Sequence, residues 1–189
     1  MQLANSWTTG LTHTVGAGSD RLLVYVVTIE SAGGDVTSVT YGGQAMTQAV
    51  EDVYTSGDGN RVEIWYLDES GIQAASGSSF VPSYSVGPDV ALHAAVTFEN
   101  VDQSAPIVDT ASTTGTNATL TTVAFSVVAD GMAVSGTSHE GGGSYTDGAW
   151  GSGWGEGADQ ATGTTQGTGY TTSAYGASGT DTATATHSS

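Results

Sequence analysis

The sequence predicts an all-β protein, an antiparallel β-sandwich built as one domain. Three observations predict it. Residues 21–41, RLLVYVVTIESAGGDVTSVTY, open with a continuous apolar run carrying Val24, Val26, Val27 and Ile29. Such a run is too uniform for a half-solvated strand and fits one buried on both faces. Further segments of strand length alternate in polarity and are punctuated by Gly, Asp and Asn clusters. Nowhere does an apolar repeat of 3.6 residues persist.

Each element follows from its own residues. Residues 1–10 form an N-terminal arm, with Leu3 and Trp7 on one face of an extended chain. Leu11, His13 and Val15 alternate with Thr12 and Thr14 as a strand. After the loop at 16–20 comes the long central strand. The break at 31–35 turns the chain into 36–41, where Val36, Ser38 and Thr40 are expected on one face and Thr37, Val39 and Tyr41 on the other. Gly42-Gly43 makes a tight turn, and 44–53 continues as a strand. TSGDGN at 55–60 is a hairpin loop. In RVEIWYL, 61–67, Val62, Ile64 and Tyr66 share a face, so the neighbours Trp65 and Tyr66 must point to opposite sides. A weaker strand at 77–86 carries Pro82 and belongs near an edge. Residues 90–101 are a buried strand rich in alanine. Two more strands, 116–125 and 131–139, flank the turn at 129–131. Residues 140–169 are rich in glycine and are expected as a loop region, either one long ordered loop or short irregular strands. Residues 170–175 and 180–186 suggest a closing hairpin. About nine to eleven strands at hairpin spacing indicate a sandwich of jelly-roll type over 11–189.

Composition narrows the function classes. The 189 residues are large enough to bury a proper core. There are 19 acidic and two basic residues, Arg21 and Arg61, and a net charge of −17. That balance excludes binding to a phosphate backbone, which Lys and Arg build. It also speaks against an anionic membrane surface, and no apolar run is long enough to insert in a membrane. With no cysteine, neither disulfides nor thiolate chemistry arise. Met1–Gly10 shows no basic residue and no apolar core of a secretory signal. The Ser, Thr and Gly richness and the absence of lysine nevertheless suit a protein of an extracellular surface or a virion.

The segments SDRLLVYVVTIES, VTSVTYGGQAMTQAV, NRVEIWYL and VTFENVDQSAPI resemble a β-sandwich module of bacterial secreted proteins and phage structural proteins. The resemblance spans roughly residues 12–136. It implies a jelly-roll, concanavalin-like sandwich and a place on a surface or virion, and it implies no activity. The chain departs from the pattern at its end, where the apolar closing strand of such modules is missing.

Candidate chemistry is sparse. His13, His93, His139 and His187 lack HxH or HExxH spacing for zinc. Glu30 and Glu63 lie on strands without the second carboxylate a glycosidase needs. No catalytic residues are therefore expected, and no cofactor. Ca²⁺ is the one candidate ion, because Asp58 with Asn60, Asp35 and Asp130 offer hard oxygen ligands in glycine-containing loops. Tyr145, Trp150 and Trp154 in glycine-rich sequence fit either a sugar-stacking platform or aromatics buried at an interface or under their own loop. Asn117-Ala118-Thr119 has the form of a glycosylation acceptor.

The expected function is a non-enzymatic structural subunit of a repeating extracellular or virion assembly: a filament, tubule, tail or capsid decoration. The partners are copies of itself or other surface subunits. The alternative is a carbohydrate-binding or adhesion module, with glycans as ligands. A missing closing strand leaves an open sheet edge. Residues 1–10, through Leu3 and Trp7, are expected either to fill a neighbour's edge or to fold back on their own.

Overall fold

The computed structural model describes residues 1–31, 33–57, 59–140 and 150–187. The chain is all-β, and every strand pairing is antiparallel. Its centre is strand β3 (Leu22–Glu30), of which Leu22 to Ile29 are all buried. Both flanks of β3 are paired, with β7 (Asn60–Leu67) on one side and β9 (Val90–Glu99) on the other. Strand β6 (Thr47–Tyr54) extends the sheet beyond β7. Strands β1 (Gln2–Leu3) and β2 (Thr8–Thr9) cover the far edge of β9.

Both faces of this central sheet are packed. On the first, Leu23, Tyr25, Val27, Ile29 and Trp65 meet a small sheet of β5 (Gln44–Ala45), β4 (Val36–Tyr41) and β8 (Phe80–Tyr84). Tyr25 stacks on Phe80 at 4.3 Å between centroids, and Tyr41 leans on the same ring at 4.9 Å. Simple alternation fails in β4. A register shift between Val36 and Ser38 brings Val36, Val39 and Tyr41 onto one buried face. One extra residue at a bulge reverses the side to which all later side chains point.

The second face carries Leu22, Val24, Val96 and Phe98, with Ile64 and Tyr66 packed beside them. Trp65 and Tyr66 thus divide between the two faces as expected. Here the covering layer is a sheet of β12 (Val134–Glu140), β14 (Thr164–Thr171) and β13 (Trp154–Thr162). The expected loop at 140–169 is therefore corrected over its second half: β13 and β14 form a hairpin, while residues 141–149 lie outside the described part. Buried β14 is almost wholly polar, with Thr164, Thr165, Gln166, Thr168 and Thr171 all enclosed. Buried amides persist when they are hydrogen-bonded. The Gln166 amide donates to Thr28 Oγ1 at 3.0 Å, Leu92 O at 3.2 Å and Val26 O at 3.3 Å, tying the two sheets together.

The rest of the second layer is fragmentary. Strand β10 (Thr119–Thr121) pairs with β16 (Thr184–Thr186), and β11 (Phe125–Val127) with β15 (Gly179–Asp181), as separate two-stranded ladders. The expected closing hairpin does not form: residues 170–171 end β14 and pair with β12 and β13, while 180–186 supply parts of β15 and β16, which pair with β11 and β10. Residues 11–15, expected as a strand, make one bridge, Thr12 to Ser79. One helix among the described residues, α1 (Glu69–Ala74), escapes the periodicity argument by its shortness. Asp68 caps it, accepting from Gly71 N at 2.8 Å. Glu69 clamps Arg21 through Nε at 2.9 Å and Nη2 at 2.6 Å.

Candidate functional site

Two places in the molecule gather features beyond ordinary packing. The larger is a partly open cavity of about 1050 Å³ over the second face of the central sheet. One wall is the sheet itself, with Leu22, Val24, Ile64, Tyr66 and Phe98. The opposite wall includes Phe125, Trp150, Ala183 and Ala185, which belong to a separate apolar cluster. The two clusters face each other across the space and do not merge. The cause is the fragmentary layer: no strand crosses residues 102–118, and the short β10 and β11 ladders hold the far wall away. A dry void of that size, at ~24 cal/mol per Å³, would cost on the order of 25 kcal/mol. That exceeds the ~5–15 kcal/mol net stability of a domain. The space is therefore filled, by water, a ligand or a partner.

The second place lies on the first face. Glu63 of β7 is fully enclosed, yet its carboxylate meets Asp35 and Glu51, with ligand oxygens of the three within 4.8 Å of one another. Trp65 Nε1 and Gln48 Nε2 each donate to Glu63 Oε2 at 2.9 Å, and Val36 N to Oε1 at 3.3 Å. Burial pushes this carboxyl up to about 7, against the pull of those hydrogen bonds. Arg61 supplies the local positive charge, pairing with Glu51 and, at 3.2 Å, with Asp35. A sealed carboxyl with every neighbour engaged is a strut between β4, β6 and β7. It has no access to a substrate.

The residues singled out from the sequence scatter. Asp35 joins the cluster just described. Asn60 starts β7, buried, and its Oδ1 accepts from Thr164 Oγ1 at 3.1 Å. Asp130 sits exposed at a turn with a positive φ of 62°, on the other side of the fold. These do not converge on one ion, and Asp58, like Tyr145, lies outside the described residues. Asn117 is exposed ahead of β10.

The expected interface residues are seated on their own chain. Trp150 and Trp154 are buried, stacked at 6.1 Å and 18° against Ala183 and Ala185. Neither indole offers a face to a sugar. Gly169 of β14 makes room for this, since a Cβ there would come within 2.5 Å of the Trp150 ring. Leu3 and Trp7 pack on the second face of the central sheet, Trp7 against Tyr170 at 6.4 Å and over Gly157. Of the two readings of residues 1–10, fold-back is the one this chain displays: the arm pairs with the nearest open edge, that of β9. His13 locks it. Asn5 Oδ1 accepts from Thr97 N at 3.1 Å, so its Nδ2 donates to His13 Nε2 at 3.1 Å, and His13 Nδ1 must donate to Thr8 Oγ1 at 2.7 Å. Burial drives His13 down to about 4. His93, bonded through Nδ1 to the Tyr25 hydroxyl at 2.6 Å, is lowered to about 4 for the same reason.

Comparison with protein-family models, curated proteins and solved structures yields no match. The site has to be read from its own geometry. Val62, Ile64 and Tyr66 were legible as one face of a strand. That they line a cavity was not, because much of its other lining is irregular chain, residues 105–118.

Proposed function

We propose that this chain is a non-enzymatic structural subunit of a repeating extracellular or virion assembly. The observation that carries the proposal is a set of exposed valines on the fragmentary flank: Val108 at 52%, Val123 at 67% and Val128 at 40% exposure. Large apolar side chains that lie together in water favour burial against a partner, and Leu11, Val81 and Val86 are exposed likewise on the opposite layer. The chemistry-bearing side chains agree with this reading. His13 and Glu63 are enclosed and hydrogen-bonded as parts of the scaffold, and Arg21 and Arg61 are engaged in ion pairs. The likeness of the VTSVTYGG and VEIWYL segments to modules of secreted and phage structural proteins, with their jelly-roll sandwiches, fits the same role.

A net charge of −17 on each subunit opposes self-association. Salt screens that repulsion, and Ca²⁺ enters the proposal only as a screening or bridging ion between acidic surfaces. Sedimentation velocity and negative-stain images across a salt series test the proposal. Native protein is expected to form regular polymers that grow with ionic strength, and the variant V108S/V123S/V128S to stay monomeric. Native protein that is monomeric under all conditions, or a triple variant that polymerises unchanged, overturns it.

A further inference from the structure

Charge in this molecule is distributed by layer. Strands β4, β5 and β8, the outer sheet over the first face, hold no charged residue, and none occurs in residues 36–50 or 70–88. On the opposite flank, residues 119–127 run antiparallel to 179–186 as one ribbon. Thr122 N donates to Ala183 O at 2.9 Å between the β10–β16 and β11–β15 ladders. The ribbon's one charged residue, Asp181, is half-buried and accepts from Trp154 Nε1 and the Tyr175 hydroxyl. Asp109 and Asp130 border it only at its β11 end. The acidic groups of the strands lie elsewhere, with Glu30, Glu51, Asp52 and Glu99 in the central sheet and Glu156 and Asp159 in β13.

Both uncharged faces can lose water at little cost. On the ribbon, Thr119, Thr121, Val123, Thr180, Thr182 and Thr186 are exposed, while Ala183, Ala185 and His187 turn inward. The hydroxyls of Thr119 and Thr186 bond each other at 2.9 Å, and those of Thr121 and Thr184 at 2.8 Å. Hydroxyls so paired can be covered without leaving an orphan. The outer sheet presents Val81 and, beside it, Leu11, whose carbonyl accepts from Phe80 N; Val86 follows β8. Sheets pack about 10 Å apart, so an outer sheet laid on a ribbon keeps two central sheets about 30 Å apart. That is several times the ~8 Å screening length at physiological ionic strength. Side-on contact instead brings edge strand β6, with Glu51 and Asp52, against a second acidic surface. We propose that copies of this chain stack layer on layer, the outer sheet of one copy, with Leu11, Val81 and Val86, covering the threonine ribbon of the next around Val123. The inference rests on the assembly proposed above and names its second surface. A contact between unlike faces propagates from copy to copy, and faces on opposite layers carry it along a line.

The test is sedimentation velocity on the full chain at an ionic strength where the native protein polymerises. The variant L11S/V81S/V86S changes only exposed side chains of the outer layer. It should be monomeric alone, as V108S/V123S/V128S is expected to be. An equimolar mixture of the two should give a one-to-one complex of twice the monomer mass and nothing longer, because each supplies the face that the other lacks. An outer-sheet variant that polymerises as the native chain does overturns the inference, leaves the assembly standing, and assigns the outer sheet to a different partner. Dimers of either variant alone also overturn it, since a face would then be meeting its own kind, and so does a mixture without a complex. Native protein that never polymerises removes the assembly and this inference together. If L11S/V81S/V86S lacks the native circular dichroism, Val81→Asp, which sets a charge on the uncharged sheet, takes its place with the same expected outcomes.

Discussion

At the scale of single residues, Glu63 and His13 show how this chain spends its few ionisable groups. Glu63 holds its proton up to about 7 because it is sealed. Its folded value lies above its unfolded value of 4.5. Below pH 4.5 it is neutral in both states and costs nothing. As pH rises from 4.5 to 7 the unfolded chain releases this proton while the folded one keeps it, which weakens the fold by about 3 kcal/mol in all. Glu63→Gln cannot ionise, so its unfolding free energy should lack that decline between pH 4.5 and 7.5, as urea titrations at each pH would show. An unchanged slope would mean that Glu63 is not buried as described. His13 acts in the opposite sense. Its folded value, about 4, lies below 6.5, so stability falls as pH drops from 6.5 towards 4. The reason is geometric as well as dielectric, since an imidazolium Nε2–H would confront the Asn5 amide donor.

At the scale of elements, what could be read from the sequence depended on whether apolar residues marked the strand. β3 announced itself by Val24, Val26, Val27 and Ile29. β7 did so by strict alternation, and the division of Trp65 and Tyr66 followed from it. β14 was invisible. Its TTQGTGYT holds no aliphatic side chain, and it is buried through Thr hydroxyls and the Gln166 amide, which hydropathy counts as surface. In α1, the signal was the Asp68 cap and not periodicity. The cavity was illegible because residues 105–118, which line it, run as irregular chain with no periodicity to read. The glycines that suggested a loop serve β13 and β14 as sockets for indole rings. Gly169→Ala should therefore cost about 1–3 kcal/mol by overpacking against Trp150. Chemical denaturation would measure the loss, and a change in the near-ultraviolet Trp signal would locate it. A variant as stable as the native chain would show that Trp150 can move aside freely.

At the scale of the whole molecule, the first nine residues complete the central sheet. Removing residues 1–9 strips β1 and β2 from β9 and takes Asn5 and Thr8 from His13, at about 1 kcal/mol for each lost hydrogen bond. It also bares the apolar surface under Leu3 and Trp7. The truncated chain is expected to melt well below the full one, as a monomer and at any protein concentration. A truncated chain of native stability that has lost only its ability to polymerise would favour donation to a neighbour.

The self-closing arm also has a consequence in time. Gln2 pairs with Glu99, 97 residues further along. During synthesis at ~5–20 residues per second, the arm waits roughly 5–20 s before its partner strand exists. β3 waits almost as long for β9, while its pairing with β7 is available sooner. The order of emergence therefore dictates the order of assembly: a three-stranded core of β3, β7 and β6 first, then β9, and the N-terminus last. Of these segments, the one made first is the last to find its place.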